Sequence, residues 1–162
     1  MKNRKRINIA LLILIFVSTI SCSKDDSETN NNDNSNDINT EIQQTSNLMT
    51  SSDWIITNFN DSGQDETSNF NGYSFTFNSD GTLIASNGNN MVAGTWSIVD
   101  DSSNDDSNDN DDIDFNIFFA SPDEFNDLSD DWDIVSKNNT KIVLIDVSGG
   151  NGGTDHLTFE KS

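Results

Sequence analysis

The chain has 162 residues, of which 28 are acidic and 8 are Lys or Arg, so its formal net charge is −20 at pH 7. Nucleic-acid binding depends on Lys and Arg that neutralise phosphates, and an anionic lipid surface repels a chain of this charge. The composition therefore excludes both kinds of electrostatic partner. The length allows one modest hydrophobic core rather than two domains.

Residues 1–21 have the three parts of a secretory signal peptide. Four basic residues lie within positions 2–6, an apolar run covers residues 7–20, and the small Ser21 precedes Cys22. The apolar run is too short to span a bilayer, which needs about 20 residues. We therefore expect cleavage before Cys22.

The segment Thr19-Ile20-Ser21-Cys22 resembles the lipobox of bacterial lipoproteins. This resemblance implies that Cys22, the only cysteine, is lipidated with acyl chains such as palmitate. Two or three acyl chains anchor a protein stably, because each buried methylene contributes about 0.8 kcal/mol. The alternative is an ordinary signal peptide followed by an incidental cysteine.

The tract Ser23-Lys24-Asp25-Asp26 looks like the lysine-plus-acidic tract of surface lipoproteins of Bacteroidota. It implies an outer-membrane lipoprotein exposed at the cell surface. The alternative is that these acids merely begin a linker. After cleavage, 4 lysines and 28 acids remain, which gives a net charge of −24.

Three further segments follow Cys22. Residues 22–37 are polar and acidic, which predicts a disordered tether. Residues 38–51 carry Ile38, Ile42, Thr45 and Met49 at helical spacing, which predicts a short helix or linker. Residues 52–162 form the predicted β domain.

Eight short runs of β-branched and aromatic residues lie between turns rich in Gly, Asn and Asp, and they predict eight strands. The runs are residues 54–59, 73–78, 83–86, 94–99, 113–119, 132–136, 141–145 and 156–160. Ser121-Pro122-Asp123-Glu124 has the form of a capping box and predicts a short helix over residues 122–128. The local connections favour an all-β antiparallel meander closed into a small barrel, with a two-sheet sandwich as the alternative.

Several strings from residue 48 to the carboxyl terminus are similar to the lipocalin-like lipoproteins of Bacteroidota, a largely uncharacterised family. They include Ser52-Asp53-Trp54, Gly94-Thr95-Trp96 and Phe125-Asn126-Asp127-Leu128. The resemblance implies a β-barrel of lipocalin type and little about its ligand.

Aromatic residues at inward-facing strand positions predict a pocket for a small apolar ligand, because small barrels can hold one. The alternative is a filled core. The candidate pocket residues are Trp54, Tyr73, Phe75, Trp96, Phe115 and Trp132.

Acidic residues form two groups. The run over residues 100–114 lacks the glycine and closing glutamate of a calcium loop, so we expect a solvated loop, with weak divalent binding as the alternative. In a meander, alternate loops meet at one barrel end, where binding commonly occurs on a rigid scaffold. The acids predicted there are Asp61, Asp65, Glu66, Asp123, Glu124, Asp127, Asp130, Asp131, Asp146 and Asp155.

No motif predicts an enzyme, a cofactor or a metal centre. His156 is the only histidine, so no histidine pair can hold zinc, and no Gly-x-Ser-x-Gly elbow is present. The leading hypothesis is a non-enzymatic, lipid-anchored envelope protein whose barrel binds a small ligand or a surface partner. The alternative is a structural or adhesive module with a filled core, contacting glycan or protein through acidic loops.

Overall fold

The computed structural model describes residues 32–100, 113–147 and 153–162, with side chains from residue 37. The predicted signal peptide, Cys22, residues 22–31 of the predicted tether and the acidic residues 101–112 lie outside the described residues. The described elements are, in chain order, α1 (Asn32–Met49), β1 (Trp54–Asp61), β2 (Gln64–Asp65), a 3₁₀ turn (Thr67–Phe70), β3 (Ser74–Phe77), β4 (Thr82–Ser86), β5 (Met91–Asp100), β6 (Ile113–Phe118), α2 (Asp123–Asn126), β7 (Asp130–Asn138), β8 (Lys141–Val147) and β9 (Thr154–Lys161).

The strands form one antiparallel sheet in the order β2-β1-β3-β4-β5-β6-β7-β8-β9, and β1 also pairs with β9. That pairing extends from Trp54 opposite Lys161 to Asn60 opposite His156. The sheet is therefore a closed barrel of eight strands, to which the two-residue β2 is added beside β1. This confirms the all-β barrel prediction, and the sandwich alternative is wrong.

The alternation of buried and exposed side chains confirms the predicted strand faces. Phe75 and Phe77 are buried on β3, whereas the alternating residues Ser74 and Thr76 are only partly buried. Thr158 on β9 is an exception to this alternation, because it lies between the buried Leu157 and Phe159 and is itself only 6% exposed. It has a paired neighbour on each side, Asn58 on β1 and Val143 on β8.

Helix α1 is longer than predicted, because it begins at Asn32 rather than at Ile38. Residues 32–37, which were assigned to the disordered tether, are therefore helical. No apolar residue occurs in that stretch, so a search for a hydrophobic stripe could not detect its helicity. Thr45 and Met49 of α1 are fully buried, and the indole nitrogen of Trp54 donates a hydrogen bond to the carbonyl of Met49 over 2.9 Å.

Helix α2 is shorter than predicted and is not capped by Ser121. It spans Asp123–Asn126, Pro122 is its N-cap, and no side chain caps it. The predicted capping box is therefore wrong. Instead, the carbonyl of Pro122 accepts hydrogen bonds from the amides of Phe125 and Asn126, both over 3.0 Å. This single turn places Phe125 in the core.

Candidate functional site

The structure places the six predicted pocket residues on the interior face of the barrel. Trp54, Phe75, Phe115 and Trp132 are fully buried, and Trp96 is 7% exposed. Tyr73 is partly buried and packs against the same core. The predicted inward orientation of these residues therefore agrees with the structure.

All three indole N–H groups bind backbone carbonyls of the protein itself. Trp54 donates to Met49, Trp96 donates to Asn78 over 2.9 Å, and Trp132 donates to Leu128 over 3.1 Å. Buried tryptophan requires such a partner for its single donor. Each of these indole N–H groups therefore already has a hydrogen-bond partner within the protein.

The aromatic rings pack against one another across the barrel. The ring of Phe77 lies 5.3 Å from Trp96, 5.9 Å from Phe115 and 5.4 Å from Phe159, each in an edge-to-face arrangement. Such pairs contribute about 0.5–1.5 kcal/mol each beyond the area that they bury. The space between the predicted pocket residues is therefore occupied by other side chains of the chain.

Phe125 lies on α2, in the connection between β6 and β7, and closes that end of the barrel. Its ring centroid lies 5.3 Å from Phe70, 5.1 Å from Tyr73 and 5.3 Å from Phe119. The ring is also 6.2 Å from Phe75. The sequence pattern does not predict that Phe125 lies in the interior, because one aromatic residue within a four-residue helix produces no periodic signal.

Gly94 permits β5 to pack closely against Phe118 and Phe119. A Cβ atom at position 94 would overlap the carbonyl oxygen of Phe118 and would lie 2.6 Å from the ring of Phe119. The glycine of Gly94-Thr95-Trp96 is therefore required by the close approach of β6 to β5. This gives a physical reason for the Gly-x-Trp pattern in this chain.

The described part of the molecule carries open clefts, three of which border the sheet. Two have volumes of about 330 Å³, one between α1 and β5 and the other between β1 and β3. The third, of about 220 Å³, lies along β5 and β6. Trp96 and Tyr73 reach these clefts, whereas Trp54, Phe75, Phe115 and Trp132 line none of the three.

The antiparallel order places the connections after β1, β4, β6 and β8 at one end of the barrel, here called the loop end. Asp130, Asp131 and Asp146 meet there, each with a carboxylate oxygen within 4.8 Å of the other two. Burial raises the pKa of Asp130 to about 6, aided by its neighbours Asp131 and Asp146. Three exposed or half-buried carboxylates are fewer than the 6–8 oxygen ligands of calcium, so this cluster alone does not define a metal site.

The other predicted loop-end acids fall into two sets. Burial raises the pKa of Asp127, and the charges of Asp61, Asp123 and Glu124 raise it further. The remaining acids bind the adjacent backbone or side chains: Asp155 accepts a hydrogen bond from the amide of Ser62 over 2.7 Å, Asp65 accepts one from the amide of Thr67 over 3.1 Å, and Glu66 accepts one from the side chain of Asn69 over 3.2 Å.

His156 is exposed on β9, opposite Asn60 and Ile145. Its carbonyl accepts a hydrogen bond from the side-chain amide of Asn58 over 3.4 Å. No helix in the described ranges is long and apolar enough to cross a membrane.

The chain is similar to a protein of the DUF4847 family from Bacteroides vulgatus, whose crystal structure is known. The two share 16% sequence identity, the match covers 73% of this chain and 97% of the other, and the TM-score is 0.46. No protein-family model and no curated protein matches the chain.

Proposed function

We propose that this chain is a lipid-anchored envelope protein whose barrel is an interaction module rather than a ligand carrier. The observation that carries the proposal is the filled interior, in which Phe125 closes the loop end over a continuous aromatic cluster. A carrier requires an apolar cavity of about 300 Å³ or more. With the interior occupied by the chain's own side chains, binding is assigned to the surface.

The loop end is the proposed contact surface. It carries the carboxylates of Asp130, Asp131 and Asp146. At the same end of the barrel, Phe118 on β6 is 54% exposed and Met91 on β5 is 72% exposed. Exposed apolar side chains beside a charged rim are typical of protein interaction sites. This combination suits a partner that has basic groups around an apolar contact.

Helix α1 leads into β1 at the barrel end opposite the loop end, because β1 begins where β9 finishes. The lipobox and the tract after it, which resemble those of surface lipoproteins of Bacteroidota, support the envelope placement.

The anchor is tested by replacing Cys22 with Ala in the full chain. We expect acyl labelling to disappear and the protein to move from the membrane fraction to the soluble fraction, because Cys22 is the only cysteine. Acyl labelling that persists in Cys22→Ala would overturn the anchor proposal.

The interaction surface is tested by cross-linking in intact cells that produce the chain. The variant Glu124→Gln/Asp127→Asn removes two charges at the loop end, whereas Asp80→Asn/Glu160→Gln removes two charges from exposed or half-exposed positions at the opposite end. We expect cross-linked adducts to be lost in the first variant and retained in the second.

A ligand analysis separates the module from a carrier. Purified protein is extracted with organic solvent, and the extract is examined by mass spectrometry. A stoichiometric apolar molecule, together with adducts that are equal in both charge variants, would favour the carrier hypothesis over the interaction module.

A further inference from the structure

The cleft between α1 and β5 differs in chemistry from the rest of this acidic molecule. Its volume is about 330 Å³, and none of the residues that line it is charged. Helix α1 contributes Gln43 and Asn47, the turn after β3 contributes Ser79, and β5 contributes Trp96 and Ser97. A neutral, polar cleft is unexpected in a chain with 28 acidic residues.

The polar side chains of the cleft are available to a ligand. Within the described ranges, the side-chain amides of Gln43 and Asn47 form no hydrogen bond, nor do the hydroxyls of Ser79 and Ser97. Gln43 and Asn47 are four residues apart and therefore lie on the same face of α1. Each amide offers donors and an acceptor, and each hydroxyl offers both.

We propose that this cleft binds a short, neutral saccharide. Sugar hydroxyls both donate and accept hydrogen bonds, which matches the amides of Gln43 and Asn47. Trp96 is only 7% exposed but lines the cleft, where it offers an apolar contact to the C–H groups of a sugar ring. An apolar ligand would bury these amides without partners, at a cost of about 1–3 kcal/mol each. An ionised ligand would lose hydration without finding an opposite charge.

The size of the cleft agrees with a small ligand, because it falls at the lower end of the usual range of about 300–1,000 Å³. Its position is also separate from the surface assigned above. Ser79 lies in the turn between β3 and β4, at the barrel end opposite the loop end. This inference therefore does not depend on the proposed interaction at the loop end.

The test is an NMR titration of the full chain with neutral disaccharides. The probes are maltose, cellobiose, lactose and diacetylchitobiose, compared with galacturonic acid and glucosamine as charged sugars. We expect a saturable shift of the Trp96 indole N–H and of the Gln43 and Asn47 side-chain amides with at least one neutral probe, and no saturable shift with either charged sugar.

Substitutions locate the site. Gln43→Ala/Asn47→Ala removes two hydrogen-bonding groups, and we expect it to weaken binding about tenfold or more. Gln44→Ala is the matched control, because Gln44 is exposed on α1 but does not line the cleft. Urea unfolding verifies that the variants fold. The absence of saturable shifts with all four neutral probes, equal binding by the double variant, or equal binding of the charged sugars would overturn the proposal.

Discussion

Replacing Phe125 with Ala tests whether α2 seals the barrel. Phe125 is 2% exposed, and its ring meets those of Phe70, Tyr73 and Phe119 at 5.1–5.3 Å. Removing a buried phenylalanine costs about 3–5 kcal/mol through lost transfer free energy and the cavity that remains. Phe125 lies at the mouth of the barrel, where water can enter part of that cavity, so we expect a loss of about 3 kcal/mol.

The free energy of unfolding is measured by urea denaturation, followed by tryptophan fluorescence and circular dichroism. A loss of about 3 kcal/mol corresponds to a decrease in Tm of roughly 10–15 °C for a domain of this size. Phe118→Ala is the matched control, because Phe118 is the same residue type but is 54% exposed. We expect that control to remain within about 0.5 kcal/mol of the wild type.

Two outcomes would contradict the prediction that Phe125 seals the barrel. A loss below about 1 kcal/mol for Phe125→Ala, with an unchanged dependence on urea, would mean that the ring contributes no more than a surface side chain. Equal losses in the free energy of unfolding for Phe125→Ala and Phe118→Ala would mean that the burial of Phe125 does not determine its contribution to stability.

Three further predictions follow from the described side chains and the sequence. Trp96→Ala should reduce the free energy of unfolding by about 3–5 kcal/mol, because Trp96 is buried and bonded to Asn78; a loss below about 0.5 kcal/mol contradicts this. Because the folded-state pKa of Asp130 is raised to about 6, its ionisation should lower stability as the pH rises from about 4 to about 6. Asp130→Asn should be more stable than the wild type at pH 7 and less dependent on pH; a pH dependence equal to that of the wild type would contradict the assignment. Shortening residues 101–112 to Asn-Gly should leave the fold intact, because closure entropy changes slowly with loop length, and melting curves with calcium and with chelator should coincide for both chains; a calcium-dependent increase confined to the full-length chain would reveal a site in that segment.

The strands were predictable because their signal is local. One face of each strand is buried, so apolar residues recur at every second position, as in Phe75 and Phe77 or Phe115 and Ile117. The closed barrel followed from eight such segments with mostly local connections. In contrast, β2 and the 3₁₀ turn contain too few residues for any period to appear.

The candidate site was predictable only in part. Period-two alternation correctly placed Trp54 and Trp132 inside the barrel, but it contains no information about how much space lies between them. That space depends on Phe125, which reaches the interior from a connection. Similarly, the meander predicted that acids gather at the loop end, whereas the proximity of Asp130 to Asp146 depends on the register of β7 and β8.

The pairing of β1 with β9 has a consequence for the time at which the barrel can form. Trp54 and Lys161 are opposite each other in the sheet although more than one hundred residues separate them along the chain. Contacts this distant in sequence slow folding, and until β9 arrives both β1 and β8 have an unpaired edge. The barrel cannot close before almost the whole chain is available. A chain exported amino terminus first would therefore complete its fold only after its last strand had crossed the membrane.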